Sequence, residues 1–380
     1  MAIYEDRGEC WAKEARPIRR SAAEDFGAAV RAGGHRVDIG CGAGRYTASL
    51  GGPCIGLDAA KSMLAMCRDA VPGALLVQAD IEALPFAKIS LCGAWANMSY
   101  LHVPKRRLPA ALADLHYVLE EGSPVDIQVL NGDFEGTGLP EDRLGGRFFA
   151  AWKAPHLVDV VFGAGFDVVA TETDPDRPGR TDVLRIRATR ARTLPDMVGP
   201  GMRLLVCGLN PSVYSADTGI GFARAGNRFW PAAVSAGLVS KAHDPRHALI
   251  VDHVGMTDMV KRATRGASDL TTDEYRAGAE RVERMVEWLE PSAVCFVGLA
   301  GWRAAVDRVA VAGVQKRPFG GRPAYVMPST SGANAHSRPA DLVWHLREAM
   351  QLADTVQLAD TVQLADTVQL ADTEWDPDRR

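Results

Sequence analysis

The 380-residue chain has no apolar run of the ~20 residues that a membrane-spanning helix needs. Its start, MAIYEDRGECWAKEARPIRR, is charged and lacks the apolar stretch of a secretion signal. Both absences point to the cytoplasm and away from a membrane. Paired cysteines are also missing. The seven cysteines (10, 41, 54, 67, 92, 207 and 295) stand singly, with no CxxC pair and no histidine at zinc spacing. That argues against a disulfide framework and a zinc module, and for reduced thiols and no bound metal. No excess of positive charge marks the chain as a whole. Lys and Arg number 43 against 47 Asp and Glu, a formal net charge of −4. Charge alone therefore does not announce a nucleic-acid partner, although a local basic patch is compatible with it.

What is present is the composition of a globular protein, 47% apolar and 24% charged. The length exceeds one ordinary core, so two domains are expected. In the first half, HRVDIG, GPCIGLDA, ALLVQAD, CGAWANMS and PVDIQVL read as strands. DFGAAVRAG, AAKSMLAMCRDA and RRLPAALADLHYVL read as helices between them. Such alternation predicts a doubly wound parallel sheet. FDVVATET and DVLRIRAT follow without room for a helix and suggest an antiparallel edge hairpin. A Pro/Gly break at 192–202 precedes a fresh α/β pattern beginning at MRLLVCGLNPS, which places a boundary near residue 193. The chain ends in a repeat, QLADTV, running from residue 351. Six residues turn a helix by about 600°, so Leu352, Leu358, Leu364 and Leu370 spread over three faces and form no stripe. Residues 351–380 are expected to be a disordered or partly helical tail.

Two loops carry candidate chemistry. The first is VDIGCGAGRY, with Asp38, Gly40, Gly42 and Gly44 between a strand and a helix. Glycines let a backbone turn tightly and approach a ligand. The dinucleotide pattern G-x-G-x-x-G would need glycine at 45, where this chain has Arg45. The D-x-G-x-G-x-G form resembles motif I of the class I S-adenosylmethionine-dependent methyltransferases. That resemblance covers roughly residues 25–190 and implies a seven-stranded sheet and S-adenosylmethionine as cofactor. It implies that Asp58, ending CIGLDAA, binds the ribose hydroxyls, and that Asp80 and Ile81 hold the adenine. Asn97, Tyr100 and His102 lie where acceptor-side residues often sit, with packing an equal alternative for His102.

The second loop is GLNPS, residues 208–212, directly after the apolar run LLVC. Pro211 stiffens the turn, and Asn210 offers an amide that both donates and accepts. FARAGNRFW follows, with Phe222 free to stack on a planar base, and MPSTSGANAHS forms another strand-end loop. Together these pieces, with VGMTDMVKRATRGASDLT between them, resemble the mismatch-specific uracil/thymine branch of the uracil-DNA glycosylase superfamily over about 195–350. An α/β/α domain is implied. So is excision of uracil, or thymine and modified pyrimidines, from G·U and G·T mismatches in double-stranded DNA, without a cofactor and as a nucleoid-associated monomer.

The resemblance gives Asn210 the water-positioning role and places Leu209, Ser212, Phe222 and Asn227 at the base pocket. Ser215, Lys261, Ser331, Gly332, Ala333 and Asn334 fall to the DNA-binding face, with Arg262 beside Lys261 and a solvated basic face an equal alternative for that pair. Phe229 and Trp230 read as core, and Asn227 and Arg228 as pocket support or loop clamp. Two departures stand out. Ala333 occupies the place of a bulky wedge, and Ala225 that of a proline. Two other functions fit the same residues. One is a methyltransferase for a small molecule or nucleic acid whose second half is a DNA adaptor. The other is a mismatch-binding module that excises nothing.

Overall fold

The structure is a computed structural model that describes residues 2–14, 20–140, 142–174 and 183–374. The chain divides into two compact units, Met1–Asp196 and Met197–Arg380.

The first unit begins with α1 (Ala2–Glu14) and α2 (Arg20–Ala29). Five parallel strands follow: β1 (Arg36–Ile39), β2 (Cys54–Asp58), β3 (Leu75–Gln78), β4 (Gly93–Asn97) and β5 (Pro124–Asn131). Helices α3 (Lys61–Ala70) and α4 (Leu108–Val118) lie between them in sequence. The spatial order is β3-β2-β1-β4-β5, which puts β1 and β4 in the interior of the sheet. All four residues of β1 are buried, as parallel strands covered on both faces require.

Beyond β5, the strands β6 (Glu135–Thr137) and β7 (Phe148–Trp152) form a hairpin that touches β5 only at Leu130 and Asn131. After α5 (Ala154–Gly163) come β8 (Phe166–Asp174) and β9 (Val183–Arg190), antiparallel to each other. β9 pairs along most of β5 and leaves β8 at the edge. The seven strands read from the sequence are therefore joined by two more, because the β6–β7 hairpin docks on the end of β5.

The second unit starts at β10 (Leu204–Gly208), which carries straight into α6 (Val213–Thr218). Then come α7 (Phe229–Ala236), α8 (Pro245–Ile250) and β11 (Val254–Asp258). They are followed by α9 (Thr272–Leu289), β12 (Ala293–Val297), α10 (Leu299–Ala305), β13 (Gly313–Val314), β14 (Ala324–Met327) and α11 (Pro339–Glu374). The sheet order is β11-β10-β12-β14-β13, parallel except for β13. From β10 the chain runs to β11 on one side, then crosses to β12 on the other. That reversal makes the carboxyl end of β10 a topological switch point, where α/β folds place ligands.

The long helix α9 shows why the elements sit as they do. Tyr275, Ala279, Val282, Val286 and Leu289 recur at spacings of three and four and are all buried. Thr271 and Glu274 close a reciprocal cap at its start, and Glu290 turns into the left-handed region at its end, just before Pro291.

The tail differs from the disordered alternative. α11 continues through the repeat to Glu374, and residues 375–380 lie outside the described ones. Leu342, Leu346, Ala349 and Ala353 form one buried row, and Arg203 Nη2 donates to Asp354 Oδ2 at 2.7 Å. The physical reason is propagation. A packed helix already nucleated over 339–350 extends at one hydrogen bond per residue through a repeat that lacks Gly and Pro. As the rotation predicts, Leu352 packs on the core while Leu358 is exposed.

Candidate functional site

In the first unit, the ends of β1, β2 and β3 bring the glycine loop, Asp58 and Asp80 to one edge of the sheet. Gly40, Gly42 and Gly44 all adopt positive φ (68°, 54° and 77°), a conformation that L side chains resist. A Cβ on Gly40 would fall 2.5 Å from Ser99 Cβ, and one on Gly44 would fall 2.7 Å from Cys67 Sγ. Asp58 braces the loop. Its Oδ2 accepts from Gly42 N and its Oδ1 from Ala60 N, both at 2.9 Å. The carboxylate also accepts from Ala59 N–H, which leaves one of its four lone pairs for a ligand hydroxyl. Asp38 is buried and accepts from Thr47 Oγ1 at 2.7 Å. Burial pushes its carboxyl up to about 7, against the Thr47 hydrogen bond and with help from the charge of Asp58. Asp80 is exposed in the turn after β3, where its Oδ1 accepts from Glu82 N, and Ile81 beside it is half-buried. Beside Gly40 the buried Ser99 hydroxyl makes no hydrogen bond among the described residues. A side-chain-free cradle, an adjacent carboxylate and an orphaned hydroxyl fit a nucleoside-bearing cofactor.

Across the same edge, Asn97 Nδ2 donates to Gln128 Oε1 at 2.6 Å. Tyr100 is fully buried, with its hydroxyl unpartnered among the described residues. His102 lies in a relay. Arg147 Nη1 donates to Tyr4 Oη (2.8 Å), leaving the Tyr4 hydroxyl to donate to His102 Nε2 (2.9 Å) and His102 Nδ1–H to donate to Phe148 O (2.7 Å). Burial holds the His102 imidazolium down at about 4.

In the second unit, GLNPS is laced to the segment after β11. The carbonyls of Gly208, Leu209 and Pro211 accept from the N–H groups of Met259, Val260 and Thr264 at 2.9–3.1 Å. A side chain at Gly208 would displace Asp258. A Cβ there would fall 2.3 Å from Asp258 Oδ1 and 3.4 Å from Phe222 Cζ. Asn210 donates from Nδ2 to Arg262 O (2.9 Å) and to Thr264 Oγ1 (2.8 Å), with a weaker contact to Pro211 O. Thr264 Oγ1 spends its own hydrogen on Gly266 O at 2.8 Å, so toward Asn210 it can only accept. Both neighbours thus demand the amide nitrogen, which fixes the orientation of the group by chemistry. Asn210 Oδ1 is left as the acceptor not used by any of these bonds.

Phe222 stands at φ 58° with its ring stacked on Phe229, 4.2 Å between centroids and 24° between planes. Phe229 and Trp230 are wholly buried, and Trp230 Nε1 holds Gly221 O at 2.8 Å. Phe229 thus backs one face of the Phe222 ring, which is half-buried. Leu209 turns toward the start of α10, where a Cβ on Gly301 would fall 2.8 Å from its Cδ2.

Several expected roles change with the geometry. Ser212 caps α6, accepting from Ser215 N, and Ser215 is 3% exposed inside that first turn. Ser215 is therefore corrected from a DNA-facing residue to a turn-closing one. Lys261 is likewise buried, 5% exposed, and leaves the outer face. Its neighbour Arg262 is exposed but forms a two-pronged pair with Glu274 (2.6 and 3.0 Å). The hydrogen bonds from Arg262 and from the Thr271 N–H hold the Glu274 carboxyl down at about 2. Asn227 Oδ1 accepts from Phe229 N at 2.9 Å, supporting the start of α7.

Of the two readings for Arg228, the geometry selects the clamp: its guanidinium donates to the carbonyls of Ser331, Asn334 and Ser337. Ser331, Gly332 and Ala333 are exposed on the loop that this clamp holds. Asn334 is half-buried, its Nδ2 bound to Ser329 O and Ser337 Oγ. Thr264 escaped the sequence reading because a lone threonine after Lys-Arg-Ala has no pattern to mark it. Tyr4 and Trp11 escaped because their segment read only as a charged start.

These features define a two-domain α/β protein with a candidate ligand loop at the carboxyl end of a central strand in each sheet. Residues 195–353 match the family model of the uracil DNA glycosylase superfamily, and residues 37–122 match a methyltransferase domain. The second half of the chain thus carries a uracil-DNA glycosylase superfamily domain, and the first half a methyltransferase domain. Three solved structures are similar in part. An S-adenosylmethionine-dependent methyltransferase from Methanosarcina mazei is 16% identical, with a TM-score of 0.38, over 43% of this chain and 95% of that one. The 1,6-didemethyltoxoflavin-N1-methyltransferase of Burkholderia thailandensis is 20% identical, with a TM-score of 0.40, over 50% and 84%. An S-adenosylmethionine-dependent methyltransferase from Mesorhizobium loti is 18% identical, with a TM-score of 0.37, over 44% and 98%. No helix among the described residues is long and apolar enough to cross a membrane.

Proposed function

We propose that the protein is a DNA repair glycosylase that hydrolyses the N-glycosidic bond of uracil opposite guanine. The observation that carries this reading is the fixed amide of Asn210, with Oδ1 left to accept from a water. A target base must leave the duplex stack to reach a pocket at a strand end. The half-buried Phe222 ring, backed by Phe229, suits a flat pyrimidine. As the C1′–N1 bond breaks, the electron pair leaves with the base and positive charge grows on the sugar. The water held by Asn210 adds its oxygen to C1′ and releases a proton to solvent. An amide cannot take that proton at neutral pH, so Asn210 contributes by orientation alone. A cationic sugar needs little help from its nucleophile, and slow turnover is the expected cost. Double-stranded DNA is the partner in this reading, with G·T and modified pyrimidines as further substrates. The exposed Ser331–Ala333 stretch offers a small surface to the strand.

The test is incubation with labelled G·U, A·U, single-stranded U and G·T substrates followed by alkali. Strand cleavage above an Asn210→Ala control supports the reading. No cleavage on any substrate refutes it.

The glycine cradle supports a second activity. S-adenosylmethionine would be held by the Gly40–Gly44 loop, Asp58 and the Asp80–Ile81 turn, and supplies an electrophilic methyl group when bound. Calorimetric titration of the wild type and of Asp58→Ala tests this: heat in the first and none in the second is the expected result.

A further inference from the structure

Helix α1 lies across the mouth of the glycine-loop cleft, and its contacts are of an unusual kind. Trp11 rests on Gly42, whose added Cβ would fall 3.4 Å from Cζ3 and Cη2 of the indole. Tyr4 reaches across the cleft to the relay of Arg147 and His102. The Tyr4 carbonyl accepts from Ser62 Oγ at 3.0 Å, Glu5 accepts from Ser62 N at 3.3 Å, and Arg7 Nη1 donates to Leu144 O. These anchors come from the start of α3, from the 3-10 turn after β4 and from the β6–β7 hairpin, so the helix spans the mouth from rim to rim. Yet of residues 3–12 only Gly8 is buried, and it has no side chain. The helix is broken at Arg7, with φ −124° and ψ 15°. An element held at its rim by hydrogen bonds, with no apolar side chain sunk in a core, belongs to the low-stability end of a structure and can lift without global unfolding.

We propose that α1 is a strap over the methyl-donor cleft, and that the cofactor enters and leaves only when Tyr4 releases His102 and Trp11 lifts from Gly42. The proposal rests on the reading of that cleft as an S-adenosylmethionine site. It assigns Tyr4 and Trp11 as gating residues. It also implies an acceptor small enough to be enclosed with the cofactor, since a closed strap leaves no open face for a polymer. A gate of this kind acts on both directions of exchange, so it changes rates more than affinity.

The full-length protein can be locked. A Cβ on Gly8 would lie 3.3 Å from Ser62 Oγ, and its other close neighbours are the flexible ends of Met63 and Met66. In a disulfide each Cβ lies about 3 Å from the partner's sulfur, and Ser62 Oγ marks the place that sulfur would take, so the pair can be bridged. The Gly8→Cys/Ser62→Cys pair is made in a Cys10→Ser background, because Cys10 is exposed. Binding and release of S-adenosylhomocysteine are followed by stopped-flow fluorescence, with the oxidised and reduced Cys10→Ser parent as the control for native thiols.

Oxidation should slow both rates at least about tenfold, reduction should restore them, and Tyr4→Phe should raise both. Equal rates in the locked and reduced forms overturn the strap and leave the cofactor reading intact. Tyr4→Phe rates equal to wild type also overturn it. If the parent binds nothing but a Trp11→Ala variant binds, the strap is supported as a closed gate. If neither binds, the cofactor reading fails and the strap fails with it.

Discussion

Replacing Thr264 with valine tests the chemistry proposed for the second unit without touching Asn210, the group we propose holds the water. Valine keeps the shape of the side chain but removes the acceptor that Asn210 Nδ2 meets at 2.8 Å. In the wild type a flipped amide would face Arg262 O and a threonine oxygen whose hydrogen is already committed to Gly266 O. Losing two hydrogen bonds of ~1 kcal/mol each gives the correct orientation a preference of about 2 kcal/mol, roughly 97% of molecules. With valine, one bond remains and the preference falls to about 1 kcal/mol, near 85%. Population alone therefore costs little. The larger effect is looser positioning of Oδ1, which at ~1 kcal/mol of lost transition-state contact lowers the chemical step about fivefold. The combined expectation is a five- to tenfold fall in the single-turnover rate on a G·U duplex. Duplex affinity, measured by anisotropy, should be unchanged. Thr264→Ser, which restores the oxygen, should recover most of the rate. A valine variant at wild-type rate, or a serine variant as slow as valine, would refute the reasoning.

Asn210→Ala should lower single-turnover excision about 100-fold or more, since an unheld water loses its alignment; a quenched-flow assay at saturating protein checks it. Gly40→Ala should destabilise the first unit by about 1–3 kcal/mol, because φ is +68° and the new Cβ would press on Ser99. Calorimetry should show that unit melting earlier while the second unit holds. Between pH 4 and 6.5 two buried groups of the first unit should make opposing contributions to its stability. His102 titrates at about 4 when folded and near 6.5 when unfolded, so the unfolded state binds the extra proton and stability falls with acid. Asp38 titrates at about 7 when folded and near 3.8 when unfolded, so the folded state binds the extra proton and stability rises with acid. Asp38→Asn should therefore unmask an acid-side loss of up to ~3 kcal/mol, and His102→Gln a gain of similar size. Denaturant melts across that range decide the matter, and equal slopes in both variants would contradict the assignment.

The alternation of apolar runs with amphipathic segments made the two sheets legible, because the central parallel strands β1, β10, β12 and β14 are buried throughout and their residues read as one block. The cradle was legible for a similar reason: glycine adopts the positive φ of residues 40, 42 and 44 at the least cost. Roles that depend on what a side chain meets from elsewhere in the chain were not. Lys261 reads as a surface charge, yet the fold buries it. Ser215 reads as a free hydroxyl, yet Ser212 draws it into a helix turn. The β6–β7 hairpin was missed because its first strand, Glu135–Thr137, is three residues long and carries no apolar alternation. The tail was half legible. Its repeat has no stripe to pack, but helix extension needs no stripe when the preceding turns are already anchored on the core.

The two loops sit at equivalent places, each just past a central strand, yet they are built in opposite ways. Residues 40–44 contain three glycines in the left-handed region, while none of residues 208–213 adopts positive φ. The first loop presents backbone. It can follow the outline of a large ligand because no side chain intervenes, and Asp58 ties it only through Gly42 N. The second loop presents one side chain. Its carbonyls are consumed by the segment after β11, and its asparagine is held through two donors on one nitrogen. A cofactor that must be bound and released needs the first kind of loop. A water molecule that must stand in one place needs the second, since it has no shape of its own to fix it. The difference in build suits the two proposed functions, and the amide hydrogens of Met259, Val260 and Thr264 should exchange more slowly than that of Gly42.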